Sequence, residues 1–237
     1  MGPSGPESSL LARLPIRRVC ALVGPFGSGK TEIAVNLALL LAAEGLDPAL
    51  ADLDVVNPYF RSREARATLE AKGVRVFAPP PEMGFADLPV LAPGVGALLV
   101  DVRPVVLDAG GDAAGARVLR LFASALRTVE HDILFVVNAC RPYARTPETA
   151  FLALRAWEET AGLAVTGVVA NAHMLEETSR EVVEHGLAVA RETAALAGVR
   201  VAFAGMTASI RAEIGVPVLS IVRHMLPPHQ RRAACRV

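Results

Sequence analysis

Gly24-Pro25-Phe26-Gly27-Ser28-Gly29-Lys30-Thr31 carries glycines where a phosphate-cradling loop needs them, then a lysine and a hydroxyl, which is the Walker A pattern. Such glycines let the backbone wrap tightly, so that N–H groups from Gly24, Gly27, Ser28, Gly29, Lys30, Thr31 and Glu32 turn toward phosphate oxygens. Lys30 reaches the β- and γ-phosphates, and the Thr31 hydroxyl suits Mg²⁺. Lys30 and Lys72 are the chain's two lysines against a large excess of arginine. At the loop a compact ammonium stands where a guanidinium fork would not fit.

Carboxylates come next. Val105-Val106-Leu107-Asp108-Ala109-Gly110-Gly111 is an apolar strand ending in aspartate and then glycines. In a phosphate-loop protein Asp108 reads as the Walker B aspartate, supporting the metal shell and catalysis. The same letters fit a DxxG segment that senses a γ-phosphate. Asp52 and Asp54 end another strand two residues apart, on one side of an extended chain. Beside a triphosphate the pair makes sense if one binds the metal shell and the other positions the attacking water. A strand-end turn rich in Asp, Asn and Pro is the alternative. Arg61 and Arg63 follow, either as arginine fingers or as solvated helix-start residues. Two later strands end in asparagine, at Asn138 and Asn171, and an amide suits a purine edge. Asn171 is the better candidate for the base. It is followed by Ala172-His173-Met174, without the lysine and aspartate of a guanine-reading NKxD, which points to ATP over GTP. His173 and His185 show no metal-ligand spacing and read as surface histidines.

The elements that must hold these groups follow from the hydrophobic pattern. Strands are expected at 18–24, 48–52, 74–78, 104–108, 133–138, 165–171 and 199–204, with helices at 31–44, 63–72, 113–129, 147–161, 179–197 and 220–225. Such alternation predicts an α/β fold: a three-layer P-loop NTPase architecture, its mostly parallel sheet of about seven strands covered by helices on both faces. Residues 16–226 form the single domain, between a disordered tail at 1–15 and a tail at 227–237. Pro79 to Gly96 is the one long irregular excursion. Aromatic residues make up only 5% of 237, so the core must be built from Ala, Val and Leu. Formal net charge is zero, which gives no electrostatic case for nucleic acid or an anionic membrane. Cys20, Cys140 and Cys235 are isolated, which argues against a disulfide framework or a zinc site within the chain. The longest apolar run, from Ile33 to Ala43, is interrupted by Asn36, and no charged-then-apolar leader opens the chain. Cytoplasm is the expected compartment.

Gly24–Thr31, Asp52-Leu53-Asp54, Asp108-Ala109-Gly110-Gly111 and Asn171, in that order, resemble the SIMIBI class of P-loop NTPases and within it the MinD/ParA-like ATPases. The resemblance implies that Asp54 arranges the attacking water, Asp108 supports Mg²⁺ and Asn171 reads adenine. MinD and ParA place a second lysine right after the first glycine, where this chain has Pro25, so the contact that closes their ATP-sandwich dimer has no counterpart here. The resemblance implies a Mg²⁺- and ATP-binding, slowly hydrolysing switch acting on an unidentified protein partner, with a homodimer left open. Two alternatives share the class: a GTPase factor that inserts metal into an enzyme, and a small-molecule kinase or ligase.

Overall fold

Val19–Val23 contains no polar residue, and all five positions are buried, as in a strand covered on both faces. It is strand β1 of the computed structural model, which describes residues 14–54, 66–78, 94–210 and 214–224. The elements run β1 (Val19–Val23), α1 (Lys30–Ala43), β2 (Ala49–Asp52), α2 (Arg66–Ala71), β3 (Arg75–Phe77), α3 (Val95–Val100), β4 (Val105–Asp108), α4 (Ala113–Arg120), α5 (Ala123–Leu126), β5 (His131–Val137), α6 (Pro147–Ala161), β6 (Gly167–Ala170), α7 (Arg180–Ala197), β7 (Arg200–Thr207) and β8 (Val218–Ile221). All eight strands form one sheet in the order β3-β2-β4-β1-β5-β6-β7-β8, each neighbouring pair parallel. Their carboxyl ends therefore share one edge. The strand order reverses around β1, which lies between β4 and β5, and this is where an open α/β sheet leaves a crevice for ligands.

Alternate residues of β1 feed two separate cores. Val19, Ala21 and Val23 pack with residues of α3 to α7, whereas Cys20 and Leu22 pack with Ile33, Leu37 and Leu41 of α1 and Leu69 of α2. Those are the three layers that the alternation of elements predicts. Trp157 is part of the first core and Phe151 is half-buried. Burial raises the Cys20 thiol far above the usual cysteine range, with Asp132 adding to the effect.

The mostly parallel sheet of about seven strands is borne out, with eight strands among the described residues. Three other expectations are corrected. The segment expected as a last helix at 220–225 supplies the eighth: Val218-Leu219-Ser220-Ile221 pairs with β7, and Leu219 is buried in the core. Asn36 explains why this edge holds, because it donates to Val222 O and accepts from Val222 N, both at 2.9 Å. The long helix at 113–129 is broken at Leu121 and Phe122, where Leu121 N–H turns back to Val118 O and Phe122 N–H to Leu119 O. The last residues of the supposed excursion belong to α3. Its remainder at 79–93, both expected tails except residues 14 and 15, and Arg61 and Arg63 all lie outside the described residues. Among the described residues no helix is long and apolar enough to cross a membrane.

Candidate functional site

The loop between β1 and α1 is built so that a helix start faces open space. Gly29 is the residue before α1, with φ 91°, and no side chain caps the helix. The first-turn N–H groups and the positive end of the helix dipole are thereby left for an anion. No side chain would fit at Gly29, because a Cβ would run into Asn171 Nδ2. Lys30 is buried to 8% exposure, and its Nζ donates to Pro25 O at 3.1 Å, so the ammonium curls back over its own loop. Ser28 Oγ is buried without a hydrogen-bond partner among the described residues, a polar group at the loop floor.

The aspartates meet at the same edge. Asp52 and Asp108 are register partners on neighbouring strands and are each 1% exposed. Paired positions in parallel strands face the same side of the sheet, so the two carboxylates stand together. Asp52 Oδ1 also accepts the Asp54 N–H at 3.1 Å, and the Asp54 carboxyl lies against the β4–α4 turn near Gly110. That turn presses on the phosphate loop. A Cβ on Gly111 would come within 2.7 Å of Lys30 Nζ and 2.9 Å of Phe26 N. The DxxG glycine, expected to sense a γ-phosphate, therefore stands against the Gly24–Thr31 loop.

Opposite these groups the ends of β5 and β6 close the cleft. Asn171 Nδ2 donates to Ser28 O at 2.7 Å, so the amide holds up the loop. Asn138 Oδ1 accepts from Cys140 N at 3.1 Å and His173 N at 3.4 Å, tying the two strand-end turns together. Arg141, one turn beyond β5, donates through Nε to Gly27 O at 3.2 Å. The resulting cavity of about 680 Å³ is lined by the expected Gly27, Gly29, Lys30, Thr31, Asp54 and Asn171. Glu32 lines it as well, though its Oε1 is engaged by His224 N–H at 2.6 Å. Gly24, Ser28, Asp52 and Asp108 are buried around the same end.

Three basic side chains in the wall were not anticipated. Arg141, Arg223 and His173 all line the cavity. His173 is not an ordinary surface residue: burial first, then the guanidiniums of Arg141 and Arg223, hold its imidazole below the usual histidine range. The only sequence signals for them were closeness to Asn138 and Asn171, and Arg223 sat in a stretch read as helix.

A divalent cation fits this donor set. Mg²⁺ takes one or two carboxylates and completes its shell with phosphates and water. Thr31, Asp52 and Asp108 supply a hydroxyl and two carboxylates at the loop end of the sheet. No cluster of three or more His, Cys, Asp and Glu is placed to hold a metal among the described residues.

No protein-family model and no curated protein matches the sequence. Solved structures do. The cell division protein FtsY from Thermotoga maritima superposes with a TM-score of 0.51 and 21% identity, over 79% of this chain and 61% of that one. Chloroplast FtsY from Physcomitrella patens gives 0.53 and 20%, over 86% of this chain and 61% of that one. A signal recognition particle 54 kDa protein from Aeropyrum pernix K1, in complex with GDP, gives 0.49 and 20%, over 92% and 45%. This chain thus spans about 61% of the length of the two FtsY structures. Identities at this level establish the fold, the three-layer α/β arrangement of P-loop NTPases.

Proposed function

We propose that the chain is a Mg²⁺-dependent P-loop NTPase of the SIMIBI class that binds ATP in preference to GTP. Its hydrolysis is slow, and its nucleotide state is read by a protein partner. The observation that carries this reading is the contact of Gly111 with Lys30 and the phosphate loop, directly beside the buried Asp52–Asp108 pair. A residue there cannot ignore what occupies the loop, which is the requirement for a switch.

Lys30 leaves the Pro25 carbonyl and places its ammonium on the β- and γ-phosphates, while the uncapped start of α1 presents its N–H groups to the same oxygens. Thr31, Asp52 and Asp108 would hold Mg²⁺, which would supply charge neutralisation for the transferring phosphoryl oxygens. Asp54, lining the cavity at the Lys30 end, orients the attacking water. Asn171 fixes the loop through Ser28, and its amide, which lines the cavity, is the candidate to read the base. The ATP preference is supported by Ala172-His173-Met174, which supplies neither the lysine nor the aspartate of a guanine reader. Phe26, 73% exposed at the loop crest, supports a partner that docks beside the nucleotide.

Calorimetric titration of Mg-ATP and Mg-GTP into the wild type and Lys30→Ala tests the proposal. ATP binding that depends on Lys30, with GTP much weaker, supports it. Preference for GTP overturns the adenine assignment, and no binding of either nucleotide removes the reading altogether.

A further inference from the structure

Three basic side chains from three separate elements meet on the wall of the cleft away from Asp52 and Asp108. Arg141 follows β5 and is held by its Nε–H···O bond to Gly27 at 3.2 Å. His173 follows β6; its backbone is held by Asn138, and its Nε2 would lie 3.4 Å from a Cβ on Gly29, beside the start of α1. Arg223 follows β8, and the residues on either side of it are fixed to α1: Val222 to Asn36, and His224 N–H to the Glu32 carboxylate. The guanidiniums lie close enough to His173 for both to act on its imidazole. None of the three belongs to the Walker A loop.

We propose that Arg141, His173 and Arg223 bind the phosphoryl group nearest the nucleoside, the α-phosphate, as a second cationic wall facing the loop. This rests on the nucleotide reading above and adds to it a recognition element outside the phosphate loop. The chemistry fits the position. Lys30 serves the distal β- and γ-phosphates and the loop N–H groups face the α- and β-phosphates from one side, whereas Asn171, Thr207 and Ser209 line the cavity alongside His173 and Arg223, where a nucleoside would lie. A guanidinium already oriented by a backbone carbonyl loses little freedom on binding a phosphate oxygen.

The site also couples binding to a proton. The other charged side chains lining the cavity are Lys30, Glu32, Asp54 and Glu176. With no anion present, burial and the two arginines keep His173 neutral at pH 7. A bound phosphate opposes those cations and favours the imidazolium, so binding takes up a proton and tightens as pH falls toward the histidine range.

The experiment is calorimetry of AMP, ADP, ATP and inorganic pyrophosphate with the wild type, Arg141→Ala, Arg223→Ala and His173→Gln. Arg141→Ala and Arg223→Ala are expected to raise the Kd of AMP, ADP and ATP alike, by about ten- to a hundredfold, with pyrophosphate unchanged. Lys30→Ala should weaken ATP, ADP and pyrophosphate but spare AMP. Enthalpies in buffers of different ionisation heat should report proton uptake with ADP that disappears in His173→Gln. Arg223 makes no bond to the loop among those described, so Arg223→Ala remains informative if Arg141→Ala disturbs the fold. Unchanged AMP affinity in both arginine variants overturns the assignment. So does an equal loss for pyrophosphate, which would make the arginines supports of the loop rather than α-phosphate ligands. Absence of nucleotide binding by the wild type would remove the underlying nucleotide reading, a separate failure visible before any variant is made.

Discussion

Asn171 Nδ2 lies 2.7 Å from the Ser28 carbonyl, so the end of β6 supports the phosphate loop from 143 positions away in sequence. Both residues are buried, and water cannot readily replace the bond. Asn171→Ala should lower stability by about 1–3 kcal/mol, the usual cost of an orphaned buried carbonyl, as measured by urea unfolding. ATP and ADP affinities should fall together, since the loop that holds both has lost its support. Full retention of loop affinity would show that Ser28 needs no help.

Gly111→Ala should abolish nucleotide binding, because its methyl would meet Lys30 Nζ and the backbone of Gly24 and Phe26. Gly96→Ala in α3 is the control: no heavy atom lies within 4 Å of the new methyl, and the helix gains about 0.5–1 kcal/mol. Opposite shifts in melting temperature are expected, and a Gly111→Ala protein that binds normally would refute the contact.

Asp108→Asn should cut Mg²⁺-dependent ATP turnover by about a hundredfold or more, the scale on which a transition-state electrostatic group acts. Nucleotide affinity measured in chelator should barely change. Equal damage with and without Mg²⁺ would argue that Asp108 serves packing instead.

Asn36 bonds Val222 in both directions and Glu32 O at 2.8 Å, which fastens the edge strand to α1. Asn36→Ala should cost about 1–2 kcal/mol, since Val222 is exposed and water recovers part of the loss. Faster amide exchange at Val222, with the centre of the sheet unaffected, is the expected signature.

Stability should fall on acidification below about pH 6.5, the ordinary histidine value. His173 and His224 are both held below that value, each chiefly by burial. The unfolded chain therefore takes up protons first; the stabilisation is complete above the unfolded pKa and is lost as pH falls through the folded ones. Unfolding midpoints at pH 7.5 and 5.5 should converge in a His173→Gln/His224→Gln protein.

The grouping of the loop and aspartate residues at one end of the sheet was legible because its signals are local. Gly24 to Thr31 is one loop, and Asp52 and Asp108 each close an apolar run. The other wall was not, because Arg141, His173 and Arg223 come together only once the strand order is fixed. Nothing in Ile221-Val222-Arg223-His224 announces an edge strand's exit; that depends on Asn36, which in the sequence only interrupts an apolar helix. The break at Leu121 and Phe122 was equally hidden, since neither residue is a helix breaker.

β1 pairs with Val105 onward on one side and with His131 onward on the other, and with nothing closer in sequence. During synthesis the strand that carries the phosphate loop therefore emerges long before either neighbour exists. Its Val-Cys-Ala-Leu-Val run waits with both hydrogen-bonding edges bare, a sticky segment at an early and vulnerable stage. Non-local closure of this kind is slow, so the cleft at the end of β1 is expected to form late. A nascent chain halted before β4 would hold an intact Walker A sequence with no neighbouring strand to shape it.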